Sequence, residues 1–431
     1  MKIDNVYMLL PGREVGFGSI EFENGVITSI GRDGVPSPSA ASASTGRACR
    51  SATAGFASAR SNRLLLPGLI NCHGHTAMTL VRGVGSGLPL QRWLNEAIFP
   101  IEAKMTKDDI RAGVLWGAME MLAGGTTTVA DMYDFPDEGE RAFLETGLRA
   151  KVSRVGLSFV PGRLEECIAF TRADANRDLC IHSEYLTDEP FCRALADVNR
   201  ELKRRLHVHV SETKKEHEEC IARHNKTPIA YLAATGLLDH GGYAAHCVYC
   251  TDDDFRIMAD HDVSLVHNPT SNMKLGSGFA RVQRAMELGV NVALGTDGCA
   301  SNDNLDMFEE MHLASLIHKG LASDPTVLSA WDVIEMATKN GAKALGRDDL
   351  GALAVGKAAD FCVIDLDRLH LTPALDLPNL VVNSMHASDV IETWIGGERL
   401  YYHGAFEGLD ISAIKETFLN CVSRLQPTIL Q

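Results

Sequence analysis

The stretch Leu65-Leu66-Pro67-Gly68-Leu69-Ile70-Asn71-Cys72-His73-Gly74-His75 decides how the rest of this chain is read. It is a short apolar run closed by two histidines at i and i+2. On a strand, residues two apart point to the same face. His73 and His75 can therefore grip one metal ion, and Gly74 leaves room for its approach. A second such pair, His207-Val208-His209, is followed by Glu212. His246 follows another apolar stretch, and Gly295-Thr296-Asp297-Gly298 follows Val290-Asn291-Val292-Ala293-Leu294.

Outward from these points, the text from Leu64 to about Leu345 repeats strand, loop and helix. Asp108 to Ala123 has helical period, with Ile110, Val114, Leu115, Ala118, Met121 and Leu122 on one side. Gly124-Gly125 ends it, and Thr126-Thr127-Thr128-Val129-Ala130 reads as a buried strand. Further strands are expected near 152–158, 178–182, 206–210, 243–247, 263–267 and 291–295. Helices are expected near 138–149, 188–203, 213–224, 252–260, 280–288 and 303–319. With the strand before His73 this makes eight strands alternating with helices. Such alternation implies a parallel sheet, and eight units of this length imply a (β/α)8 barrel of the TIM type.

The two chain ends read differently. Val6-Leu10, Gly18-Glu23 and Val26-Ile30 are short strands, with Asn24-Gly25 as a hairpin turn. Asp360-Asp365, Val390-Ile395 and Glu398-Tyr402 are strands, with Gly396-Gly397 as a turn. The expectation is a small β-sandwich domain from residues 1–66 and 350–431, beside a barrel spanning 67–349. Residues 32–63, dominated by Ser, Ala, Gly and Arg, are expected to form a flexible loop.

The 431 residues carry a net charge of -15, which argues against nucleic acid and anionic membrane surfaces as partners. No apolar run reaches the length of a membrane-spanning helix. Met1-Lys2-Ile3-Asp4-Asn5 lacks the layout of a signal peptide. The 11 cysteines are odd in number and follow no framework spacing, so reduced thiols and a cytoplasmic setting are expected. Cys247 and Cys250 form one CxxC, where a structural zinc site would need a second pair.

Barrel active sites lie at the C-terminal ends of the strands. His73, His75, His209, His246 and Asp297 all fall there. Three histidines and a carboxylate make a catalytic zinc-type site with a position left for water, whose pKa the metal lowers. Glu212, one short turn from His209, can carry a proton to or from a substrate nitrogen. His207 is expected to fill the barrel one layer down. His217, His224, His240 and His261 are expected at the surface.

These motifs resemble those of amidohydrolase-superfamily aminohydrolases, and within them the 5′-methylthioadenosine/S-adenosylhomocysteine deaminases. The likeness runs through Leu66–His75, Met78-Thr79-Leu80-Val81-Arg82-Gly83, Gly162-Arg163-Leu164-Glu165-Glu166, His182-Ser183 and His209-Val210-Ser211-Glu212-Thr213. It continues through His246-Cys247-Val248, His267–Leu275 and Gly295–Asn302. The resemblance implies one divalent metal ion, zinc, on His73, His75, His209 and Asp297. It gives catalytic roles to Asp297, which also accepts the water's proton, to His246, which orients the water, and to Glu212, which protonates the purine ring. It implies a small-molecule nucleoside substrate touched by Glu102 and His182 on the sugar side, walled by Trp93, with Arg163 holding a homocysteine carboxylate. Arg163 also reads as one half of an ion pair with Glu165 or Glu166. A homo-oligomer is expected.

Three features depart from the pattern, Gly85-Ser86-Gly87, Glu184 and a short stretch from Arg163 to His182, and all bear on the substrate and not on the metal. The alternatives are a deaminase or dechlorinase of another N-heterocycle, guanine- or triazine-type, and a two-metal cyclic amide hydrolase. The latter places a Lys at the end of the fourth strand, where this chain has Ile181-His182-Ser183-Glu184. The H-x-E and later P-C-x-x-C signature of nucleic-acid deaminases is absent.

Overall fold

The computed structural model describes residues 1–33 and 62–429. Eight parallel strands run in chain order: Leu69–Gly74, Thr126–Tyr133, Arg149–Arg154, Leu179–Cys180, Leu206–Val210, Gly242–His246, Val263–His267 and Val292–Leu294. The first three form one ladder and the last five another. Hydrogen bonds join the two ladders on both sides. Gly156 N donates to Cys180 O at 3.2 Å and His182 N to Gly156 O at 3.0 Å. Across the other seam Asp297 N donates to His73 O at 2.9 Å. The ring is closed, and the arrangement is a (β/α)8 barrel.

The strands read as they do because both faces are covered. Thr126–Tyr133 is buried at every position, as a parallel strand between a filled barrel and a layer of helices must be. The helix Lys107–Ala123 opens on a capping box, Thr106 with Asp109. It stops at Gly124-Gly125, where Gly125 takes a φ of 80°.

The chain ends build one eight-stranded sheet. Its order is Ala405–Phe406, Glu398–Tyr402, Val390–Ile395, Phe361–Asp365, Arg63–Pro67, Lys2–Leu10, Glu14–Glu23, Val26–Asp33. Asn24-Gly25 and Gly396-Gly397 have positive φ at both residues, the conformation two-residue hairpins favour. The sheet folds over so that Phe22 meets Phe361 and Trp394 edge-on, with ring centroids 5.6 Å apart in each pair. Between the two halves lies an apolar core that includes Val6, Met8, Ile20, Leu65 and Val363.

Strand Arg63–Pro67 of this sheet runs straight into the first barrel strand through Gly68. A Cβ at Gly68 would lie 2.1 Å from Thr127 Oγ1, so the crossing has no room for a side chain. The C-terminal text is not all β. Helix Ile411–Ile429 packs on the barrel, with Phe418 stacked on Trp116 of Lys107–Ala123 at 5.0 Å. Its apolar residues Ile414, Phe418 and Leu425 recur at helical spacing. Of the Ser/Ala/Gly-rich segment, residues 34–61 lie outside the described residues. No helix among the described residues is long and apolar enough to cross a membrane.

Candidate active site

The site grows from the C-terminal ends of the barrel strands. His73, His75, His209 and Asp297 each turn one donor atom inward, and these atoms lie within 4.8 Å of one another. His75 Nδ1 meets Met132 O at 2.8 Å and His209 Nδ1 meets His182 O at 2.7 Å. A carbonyl only accepts, so both Nδ1 atoms carry the hydrogen. Their Nε2 atoms then face each other across 3.2 Å. His73 Nε2 is buried without a hydrogen-bond partner. Asp297 Oδ1 lies 3.3 Å from His73 Nε2 and 3.2 Å from His75 Nε2. Lone pairs converging on one point, with a carboxylate among them, fit a cation there.

The second oxygen of Asp297 is held separately. Ser271 Oγ donates to Oδ2 at 2.6 Å and Ser301 Oγ at 2.9 Å. Burial works to raise this carboxyl, but His73 and His75 overcome it and hold it well below the usual range. His246 Nδ1 meets Asn272 Oδ1 at 2.8 Å, which assigns the hydrogen to Nδ1 and leaves Nε2 an acceptor. His246 Nε2 stands 3.9 Å from Glu212 Oε2. Burial pushes the Glu212 carboxyl above the ordinary range, so its donor form persists to higher pH. Ser211, His246 and Asp297 have φ of 48°, 72° and 63°, strained values for non-glycine residues. Such strain clusters at active sites.

A profile of the amidohydrolase family matches residues 64–400. A 5-methylthioadenosine/S-adenosylhomocysteine deaminase of Acetivibrio thermocellus is 42% identical, covering 82% of this chain and 84% of its own length. A 5′-deoxyadenosine deaminase of Methanothermobacter thermautotrophicus is also 42% identical, covering 82% of this chain and 86% of its own. The chain belongs to the amidohydrolase family. An adenosine deaminase from Xanthomonas campestris, solved with bound zinc, superposes with a TM-score of 0.88 at 29% identity, over 99% of this chain and 98% of its own. An atrazine chlorohydrolase from Arthrobacter aurescens, at 22% identity and a TM-score of 0.83 over 98% of this chain and 99% of its own, shares the fold.

In this amidohydrolase the inward ring of ligands floors a cavity of about 870 Å³. Trp93, Glu102, His182, Glu212, His246 and Asp297 all line it. Trp93 donates from Nε1 to Val84 O at 3.1 Å. Gly85, one of the departures noted in the sequence, takes φ 74°, and a Cβ there would lie 2.7 Å from the indole. That glycine makes room for the tryptophan. Glu102 accepts from Tyr133 Oη at 2.6 Å, and burial raises its carboxyl. His182 lies with its ring 4.5 Å from that of His209, and burial lowers it to about 3, so it stays neutral.

Arg163 does not line the cavity. It is buried, donates to Val155 O at 2.9 Å and pairs with Asp134 Oδ1 at 3.0 Å. In this structure its guanidinium is engaged by protein partners. The ion-pair reading goes to Glu166 at 3.2 Å. Glu184 is buried, accepting from Arg223 at 2.7 Å and His224 at 2.9 Å, and ties the loop after the fourth strand to helix Lys214–His224. His217 is buried as well, its Nδ1 3.0 Å from Ser211 Oγ, and not at the surface.

Several supporting residues carried no signal of their own. Ser271, Asn272 and Ser301 sit inside the stretches His267–Leu275 and Gly295–Asn302 already singled out, but only the fold aims them. Glu216 reads as one more charge on a polar helix, yet it accepts from Ser211 N at 2.7 Å and Glu212 N at 2.8 Å. Cys247 and Cys250 are buried free thiols outside the ligand cluster.

Proposed function

We propose that this chain hydrolyses the exocyclic amine from the adenine ring of an adenosine-type nucleoside, releasing ammonia. The observation that carries the reading is the buried Glu212 carboxyl and the acceptor face of His246 set beside the His73/His75/His209/Asp297 cluster in one cavity. The names of the 42% identical relatives support the substrate class.

His73, His75, His209 and Asp297 would hold one divalent cation. The donor set suits zinc, and the Xanthomonas campestris structure contains it. When bound, the cation acidifies water enough to supply hydroxide near neutral pH. Glu212 donates its proton to the ring nitrogen beside the amine-bearing carbon, which makes that carbon electrophilic. His246 Nε2 accepts from the attacking water and orients it. Asp297 takes the water's proton, steadied by the Ser271 and Ser301 hydroxyls on its other oxygen, and hands it to the departing amine. The carbon–nitrogen bond breaks, ammonia leaves, and the proton of the new C–O group returns to Glu212. Glu102 and His182 face the sugar, and Trp93 walls the cavity. A reducing, cytoplasmic setting belongs to the same reading, supported by nine buried free cysteines among the described residues.

The test is the ultraviolet loss of the adenine chromophore with adenosine, 5′-deoxyadenosine, methylthioadenosine and S-adenosylhomocysteine, with ammonia and metal measured alongside. Zinc-loaded protein that deaminates none of the four overturns the proposal.

A further inference from the structure

Glu310 lies in the first turn of helix Met307–Ala322 and is fully buried. Among the described residues no Lys or Arg pairs with it, and burial pushes its carboxyl up to about 8. A buried acid without a counter-charge is costly to keep. No residue of this helix lines the cavity. The carboxylate is explained by what it holds.

Its two oxygens reach two different segments. Oε1 accepts from Asn302 Nδ2 at 2.7 Å, and Oε2 accepts from Thr270 N at 3.3 Å. Asn302 Nδ2 also donates to Thr296 O at 2.7 Å. A carbonyl and a carboxylate both accept, so the amide nitrogen of Asn302 faces both of them. Thr270 belongs to the short helix Pro269–Lys274 after the seventh barrel strand, and Asn302 ends the short helix Cys299–Asn302 after the eighth. The residue after Thr270 is Ser271, and the residue before Asn302 is Ser301. These serines are the two that donate to Asp297 Oδ2, at 2.6 and 2.9 Å.

We propose that Glu310 is a positioning residue for Asp297: it sets Ser271 and Ser301 against Oδ2 and so keeps Oδ1 turned toward His73 and His75. An unheld carboxylate can swing and present either oxygen. Two hydroxyls on Oδ2 fix which one remains for a cation. Glu310 touches neither the ligand atoms nor the cavity and acts through the serines. The inference rests on the deaminase reading above for its effect on turnover, and not for its effect on metal binding.

The experiment is a mutant cycle between Glu310 and the serine pair. Zinc affinity is measured on metal-free protein by competition with a chromophoric chelator. The zinc-loaded enzyme gives kcat and KM with the adenosine compound it turns over fastest. Ser271→Ala/Ser301→Ala should weaken zinc binding about 10- to 100-fold. Glu310→Gln, which keeps the size of the side chain, should weaken it about tenfold in the wild-type background. It should lower kcat by about the same factor and change KM less than about twofold. In the Ser271→Ala/Ser301→Ala background the same substitution should cost less than about twofold, because the hydroxyls it positions are gone. Equal losses in the two backgrounds overturn the proposal, since Glu310 would then support the fold independently of the serines. Unchanged zinc affinity in the wild-type background overturns it too. Glu310→Asp, which keeps the carboxylate and shortens its reach, replaces Glu310→Gln should that variant not fold, and the same outcomes decide. If the zinc-loaded wild type deaminates no adenosine compound, the deaminase reading falls and the zinc comparison alone decides the role of Glu310.

Discussion

His207 Nε2 stands 2.8 Å from His73 Nδ1, one layer below the ligand cluster. His207 is fully buried and lies against the Tyr243 ring at 4.4 Å. Tyr243 in turn donates to Asp178 at 3.1 Å, and Asp178 pairs with Lys151 at 2.8 Å. The orientation of one ligand is thus anchored deep in the barrel. Partners of this kind fix the ring of a ligating histidine and its tautomer. His207→Leu should weaken zinc binding about 10- to 100-fold, read by competition with a chromophoric chelator. Unchanged affinity would mean that strand geometry alone aims His73.

Glu212→Gln keeps the shape of the side chain and loses the proton. The rate should fall by about 10²–10⁴ with zinc content unchanged. The pH profile gives a second readout. Burial raises the Glu212 carboxyl, and the protonated form is the donor. Activity is therefore present below this raised pKa and is lost as pH rises through it. The alkaline limb of the wild-type profile should be missing from the variant. A variant with full activity, or one that keeps the same limb, would remove Glu212 from the proton path.

How much of this was legible in sequence varies with how local the signal is. Strand Leu206–Val210 and helix Asp252–Asp260 coincide with the expected ranges, because alternation and capping residues mark them directly. The third barrel strand was expected at 152–158 but pairs over Arg149–Arg154. Its hydrogen bonds begin in the charged text, while the apolar text runs past them to Leu157. Helix Arg163–Ala173 was not seen at all, since four of its eleven residues are charged and few of its positions are buried. The ligand set is legible because four residues at three strand ends share one chemistry. The pairing of Arg163 with Asp134 is not legible, because Asp134 is twenty-nine residues away in the chain and 3.0 Å away in space.

Helix Ile411–Ile429 joins the C-terminal segment to the barrel, and one contact dominates. Phe418 is buried and stacks on Trp116 at 5.0 Å with rings 20° apart. Phe418→Ala deletes that packing, and the helix cannot collapse into the gap without moving away from Lys107–Ala123. The expected loss is about 3 kcal/mol, measured by urea unfolding. A loss below about 1 kcal/mol would show that the helix frays from the barrel in solution.

Glu216 offers the sharpest separation of positioning from chemistry. Its carboxylate accepts from two successive backbone N–H groups, Ser211 at 2.7 Å and Glu212 at 2.8 Å. Ser211 has φ 48°, and this bend is what turns Glu212 back toward His246. Burial first, then the neighbouring Glu212 charge, pushes the Glu216 carboxyl up to about 8. Its folded pKa is raised, so the stability linked to it is fully present below the ordinary glutamate range and is lost as pH climbs through about 8. Glu216→Ala leaves two buried donors without an acceptor, at about 1–3 kcal/mol each, and lets the strained turn relax. Glu212 would then sit out of line, and kcat should drop about 10- to 100-fold while zinc content holds. Glu216→Gln should not restore it, because the amide nitrogen would face a backbone N–H. If Glu216→Ala loses stability yet keeps its kcat, the barrel holds the bend without the clamp, and Glu216 serves the fold alone.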